Sequence, residues 1–155
     1  MRNNVNNSIR VILIIACSIL FSCATAQQTQ WKSREAEVYN NRGFDYCQIG
    51  QYDQAILDFS KAIEINPRLA HAYNNRGAAY LYKAQYDQAI LDLGKAIEID
   101  PRLARAYNNR GWAYIKKWQY DQAISDFNKT IEINPAFIED YFYRAIVYFL
   151  VEEYD

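Results

Sequence analysis

From residue 36 onward, apolar and small residues recur at spacings of three and four, interrupted at regular intervals by short polar stretches. Tyr39, Gly43 and Tyr46 mark one such run; Ala55, Phe59 and Ala62 mark the next. These spacings put each set on one face of a helix. Pro67 follows the second run and ends it, because proline cannot continue a helix. The pattern returns as Tyr73, Gly77, Tyr80, Ala89, Leu93, Ala96 and Pro101, then as Tyr107, Gly111, Tyr114, Ala123, Phe127, Thr130 and Pro135. Each unit therefore reads as two helices. Glycine inside a helix costs about 1 kcal/mol against alanine. Its return at Gly43, Gly77 and Gly111 implies a neighbouring helix too close to admit a side chain. Asp53, Asp87 and Asp121 stand where the N-caps of the second helices are expected.

The period is 34 residues, giving copies at 36–69, 70–103 and 104–137 and a partial copy at 138–155. The first two copies share 23 of 34 positions, far beyond chance patterning. Such self-similarity is the mark of a repeat architecture. In the partial copy Ala145 stands in place of the glycine, and one helix rich in Tyr141, Phe142, Tyr143, Ile146, Val147, Tyr148, Phe149, Leu150 and Val151 has no second helix after it. An all-round apolar helix wants a cover, and terminal repeats normally carry a polar outer face. Three explanations fit: a truncated reading frame, self-association through residues 138–154, or a partner helix that completes the pair.

An aromatic, Gly, Tyr, Ala, aromatic, Ala and Pro at these offsets resemble the tetratricopeptide repeat family, over residues 36–155. The resemblance implies an all-α fold, a right-handed superhelix (α-solenoid) of helix–turn–helix units. It departs mildly at Leu93, where the family has an aromatic, and at Thr130, where it has alanine. It implies a concave wall lined by the first helix of each unit. On that wall fall Asn40 and Asn41, Asn74 and Asn75, and Asn108 and Asn109. An amide both donates and accepts hydrogen bonds, so a row of them can pair with an extended peptide of any sequence. The set Asn41, Asn75 and Asn109 is similar to the asparagine ladder in the repeat domain of the O-linked N-acetylglucosamine transferase. The same amides fit two other roles, solvated surface or hydrogen bonds between repeats.

Wall positions that differ between copies are where selectivity is expected: Glu37, Phe44, Cys47 and Gln48; His71, Ala78, Leu81 and Tyr82; Arg105, Trp112, Ile115 and Lys116. Of these, Phe44, His71, Tyr82, Arg105, Trp112 and Lys116 join the asparagines as candidate peptide-binding residues. The carboxylate clamp of repeat domains that grip heat-shock chaperone tails maps onto Asn40, Phe44, Asn75, Arg105 and Asn109. Only Asn75 matches, with Arg105 alike in charge, so a chaperone co-factor role is disfavoured. Arg42, Arg76, Arg110 and Arg144 are expected to pack their stems between helices and pair their heads with acids such as Asp58, Asp92 and Asp126.

A formal charge of −1 offers no strong field, which argues against nucleic acid and anionic membrane surfaces as partners. The single histidine, His71, has no Cys or Asp at ligand spacing, and no phosphate loop or nucleophile elbow is found, so no metal, cofactor or catalysis is expected. Fourteen tyrosines, rings that pack while keeping a polar tip, suit half-buried partner-binding faces.

Residues 1–26 read as an address. Arg2 and Arg10 precede an apolar run from Val11 to Phe21, shorter than the about 20 residues a spanning helix needs. Ala24-Thr25-Ala26 fits a cleavage site, giving a signal peptide of 1–26. Leu20-Phe21-Ser22-Cys23 resembles a bacterial lipobox, giving a signal peptide of 1–22, lipidation of Cys23 and a polar tether over 23–35. Loss of residues 1–22 removes two arginines and no acid, leaving a charge of −3. The expectation is a periplasmic protein or membrane-anchored lipoprotein of a bacterial envelope, a non-enzymatic scaffold or adaptor for a protein or extended peptide. Two alternatives stay open: a non-catalytic repeat module of a larger enzyme or secretion assembly, and a self-associating structural protein.

Overall fold

The computed structural model describes residues 27, 28, 30–136 and 138–154, without the side chains of 138–140, 150 and 152–154. The expected signal segment, 1–22 or 1–26, and Cys23 lie outside the described residues. Among the described residues seven helices follow one another: α1 over residues 30–48, α2 Tyr52–Ile65, α3 Ala70–Tyr82, α4 Tyr86–Ile99, α5 Ala104–Lys116, α6 Tyr120–Ile133 and α7 Ile138–Tyr154. No strand occurs among the described residues. Successive helices pack on one another from α2 to α7, and α3 also meets α5.

The turn inside each pair is a Schellman closure. The N–H of Gln51, Gln85 and Gln119 donates to the carbonyl of Tyr46, Tyr80 and Tyr114, each at 2.9 Å. The residue before each glutamine is left-handed: Gly50 at φ +74°, Ala84 at +56° and Trp118 at +61°. The second helices then start at the tyrosine, with Gln51, Gln85 and Gln119 as N-caps that make no side-chain capping bond. Asp53, Asp87 and Asp121 are thus first-turn residues and not the N-caps the sequence suggested. Their charge still meets the positive end of the helix dipole. Asp53 and Asp87 also receive Lys83 and Lys117 from the next pair.

Between pairs, each proline forces the residue before it out of helical geometry. Asn66 and Asp100 sit at φ −130°. The side-chain oxygens of Asn66, Asp100 and Asn134 accept the N–H of Arg68, Arg102 and Ala136 at 3.0–3.2 Å, holding the turn.

The core is a repeated knob. Ala55, Phe59 and Ala62, then Ala89, Leu93 and Ala96, then Ala123, Phe127 and Thr130, are all buried. The close approach expected at the glycines is present. A Cβ on Gly43 would stand 2.7 Å from Phe59 Cε1, one on Gly77 2.7 Å from Leu93 Cγ, and one on Gly111 3.0 Å from Phe127 Cε1. Thr130 Oγ1 donates to the carbonyl of Asp126 at 3.1 Å, so its buried hydroxyl is satisfied.

Arg42, Arg76 and Arg110 bind as expected, while the described bond of Arg144 goes to the amide oxygen of Asn128, at 2.8 Å. Arg42, Arg76 and Arg110 each grip the aspartate sixteen residues on with two bonds of 2.5–2.8 Å, from Nε and Nη2. Each guanidinium lies over a tyrosine of its own helix, at 5.1–5.7 Å. The carboxylate hydrogen bond, foremost, raises the pKa of all three above the ordinary arginine value, against the opposing pull of desolvation. A fork-to-fork pair of this kind fixes the angle between two helices as well as binding them.

Candidate functional site

The odd-numbered helices form a concave wall. Two adjoining stretches of it enclose about 490 Å³ and about 460 Å³ and share Phe44, Asn74, Asn75 and Arg105, so they read as one trough. Asn40, Asn41 and His71 line the stretch nearer α1; Tyr82, Asn108 and Asn109 line the other. Trp112 and Lys116 line neither. Trp112 turns under α7, 4.7 Å edge-on from Tyr143 and 6.4 Å from Phe127. Tyr143 holds the place that asparagine holds in the other units, so aromatic packing ends the row of amides there. Lys116 is exposed at the end of α5.

The asparagines divide by position. Asn40 and Asn74 are 7% and 5% exposed, whereas Asn41 is exposed and Asn75, Asn108 and Asn109 are half-buried. Their amides are chained: Asn109 Nδ2 donates to Asn74 Oδ1, Asn74 Nδ2 to Asn75 Oδ1, and Asn75 Nδ2 to Asn40 Oδ1, each at 3.1 Å. Two of these bonds cross from one unit to the next. The chain bolts α1, α3 and α5 together along the trough floor. It also fixes Asn75 and Asn109 at the surface. Part of the row is thus structural, and each surface amide keeps hydrogen-bonding capacity beyond the chain.

Phe44 and Tyr82 are largely exposed within the trough. Tyr82 stacks on Tyr52 with ring centres 5.0 Å apart and planes 4° from parallel. Tyr52 opens α2 and was not among the candidates; the recurrent tyrosine at Tyr52, Tyr86 and Tyr120 was the available signal. Cys47 also lines the trough, and burial pushes its thiol pKa up, which disfavours the nucleophilic thiolate. Arg105 is the exposed cation common to both stretches, with Glu37 at the α1 end. No cluster of three or more His, Cys, Asp or Glu suited to a metal occurs among the described residues, and no described helix is long and apolar enough to cross a membrane.

Family comparison adds the decisive observation. A "TPR repeat" family model matches residues 45–83, and the "Tetratricopeptide repeat" model matches 70–103 and 104–137. The chain belongs to the tetratricopeptide repeat family. These repeats are generally non-catalytic protein-interaction modules. Among solved structures, MamA is 31% identical over 74% of this chain and 67% of its own, with a TM-score of 0.71. The tetratricopeptide domain of Arabidopsis OM64 is 28% identical over 75% of this chain and 96% of its own, at 0.73. The first such domain of Spaghetti (RPAP3), bound to the HSP90 peptide SRMEEVD, is 24% identical over 77% of this chain and 95% of its own, at 0.76. No curated protein matches.

Proposed function

We propose that this tetratricopeptide protein is a scaffold of the bacterial envelope that holds an extended peptide along the trough between α1 and α5. The observation that carries the reading is the trough itself, where the surface amides of Asn75 and Asn109 run between exposed Phe44 and Tyr82. Amides supply sequence-independent bonds to a peptide backbone, and the two rings supply pockets for its side chains. Arg105 favours a ligand with an acidic group near its middle. The likeness to RPAP3 is one of fold, and its chaperone peptide is not carried over, since only Asn75 fits the five-residue clamp. Export rests on the Arg2–Ala26 segment, with Cys23 as the lipidated residue of the anchored form.

A peptide-array screen tests the trough. Chains with Asn41, Asn75 and Asn109 all changed to alanine, and with Phe44→Ala plus Tyr82→Ala, should lose binding while keeping native helicity. Unchanged binding in both sets rules the trough out. Export is tested separately, by fractionating cells and comparing wild type with Cys23→Ala for lipid attachment.

A further inference from the structure

Three wall positions of the 34-residue unit carry a different residue in every full copy. One reads Phe44, Ala78 and Trp112, the next Gln48, Tyr82 and Lys116, the third Glu37, His71 and Arg105. At the first of these only Ala78 is small. Phe44 keeps its ring in the trough, and Trp112 turns its ring under α7. Between them, where Ala78 has only a methyl group, the stretch of about 490 Å³ opens, lined by Ala78 with Phe44, Cys47, Tyr52 and Tyr82.

The walls of this recess are held in place by the fold. Cys47 and Tyr52 pack against the buried cluster of Ala55, Phe59 and Ala79. Tyr82 lays one face on Tyr52 and is still 72% exposed, so its other face is open. Walls fixed in this way lose little freedom when a side chain enters. The room above Ala78 is that of the ring which Phe44 and Trp112 carry at the same position, and aromatic rings favour offset or edge-on contact with other rings. Arg105 is the sole charged side chain in the lining of this stretch, and it is exposed. Its guanidinium suits a carboxylate.

We propose that Ala78 is the specificity-determining residue of the trough, selecting extended peptides that carry an aromatic residue and, two residues away, an aspartate or glutamate. Residues i and i+2 of an extended chain face the same wall. The ring enters above Ala78 between Phe44 and Tyr82, the carboxylate meets Arg105, and the residue between them faces away. This inference rests on the trough being a peptide groove and adds to that reading the side chains that anchor the peptide.

The test selects binders from a display library of random nine-residue peptides, using the full chain and three variants. Each variant installs the residue that another copy carries at the same position, so the unit already accommodates it: Ala78→Phe after Phe44, Tyr82→Gln after Gln48, and Arg105→Glu after Glu37. Circular dichroism checks that each keeps its helices. The wild type should enrich an aromatic residue with an acid two positions away. Ala78→Phe and Tyr82→Gln should lose the aromatic preference and keep the acid, and Arg105→Glu should do the reverse. With one selected peptide, labelled and followed by fluorescence anisotropy, Ala78→Phe should weaken binding about tenfold. Exchanging the peptide's acid for its amide should weaken binding to the wild type about tenfold and strengthen binding to Arg105→Glu. Selected peptides that depend on Asn41, Asn75 and Asn109 but share no such pair overturn this inference and leave the groove standing. So does an aromatic preference that survives Ala78→Phe, or enrichment of basic side chains, for which the rings would form a cation cage. Absence of any selected peptide, or selection indifferent to the three asparagines, overturns the groove and this inference together.

Discussion

α5 and α7 carry the same tyrosine–arginine pair, Tyr107 with Arg110 and Tyr141 with Arg144, and each packs back on the even helix before it. They part company on the other side. α6 covers α5, closing Arg110 on Asp126 and Phe127 on Gly111. α7 shows Tyr141, Phe142, Tyr148 and Phe149 to solvent. The difference teaches that an odd helix in this fold is only half of a core. Its burial comes from its neighbours, and stability is a sum of nearest-neighbour contacts.

Truncation of a knob should therefore cost far more in the covered stack than at α7. Leu93→Ala, at a fully buried site against Gly77, should destabilise by about 2–5 kcal/mol. Phe149→Ser, on the open face, should stay within about 0.5 kcal/mol. Urea unfolding followed by circular dichroism measures both, and similar losses would erase the distinction between the two regions.

The arginine fork gives the next contrast. Asp92→Asn leaves Arg76 with a weakened, uncharged partner in a mostly enclosed site and should cost about 1–3 kcal/mol. Arg144→Gln should change stability by no more than about 0.5 kcal/mol, since its described bond, to Asn128 Oδ1, is an exposed one. The amides offer a smaller contrast within the wall. Asn74→Ala breaks two bonds of the chain, those to Asn75 Oδ1 and from Asn109 Nδ2, for about 1–2 kcal/mol, whereas Asn41→Ala, on an exposed side chain, should be silent in the same assay.

The helices, their pairing and the glycine contacts were legible in the sequence because one 34-residue unit is written three times, and periodicity alone fixes helix faces. The same redundancy hid the division among the asparagines. Near-identical copies repeat structural and ligand-facing residues alike. The bonds that separate them join residues 35 apart, from Asn75 to Asn40 and from Asn109 to Asn74. Trp112 was misleading for a different reason. Phe44, Ala78 and Trp112 occupy one position in the unit, yet Phe44 faces the trough while Trp112 is drawn under Tyr143. Position in a repeat gives direction, and the neighbouring unit decides what is met there. The N-caps were misplaced because the aspartates are natural caps by type, while the chain reversal is set by backbone bonds from Gln51, Gln85 and Gln119 that side-chain chemistry does not advertise.

The smallest effect lies in those reversals. Gly50, Ala84 and Trp118 all stand in the left-handed region, but only glycine does so without steric cost. Ala84 is exposed, and its left-handed turn gives alanine no conformational advantage. Ala84→Gly should stabilise the chain by about 1 kcal/mol, the relief of the Cβ clash exceeding the added freedom of the unfolded glycine. Gly50→Ala should lose a similar amount. Trp118→Gly should gain less, because it also removes the edge contact of Trp118 with Tyr120 at 6.2 Å. Thermal unfolding of the three variants checks the order. If Ala84→Gly and Gly50→Ala shift the midpoint in the same direction, the left-handed residue is not what sets the turn's energy. The three turns then differ by their neighbours, as α5 and α7 do.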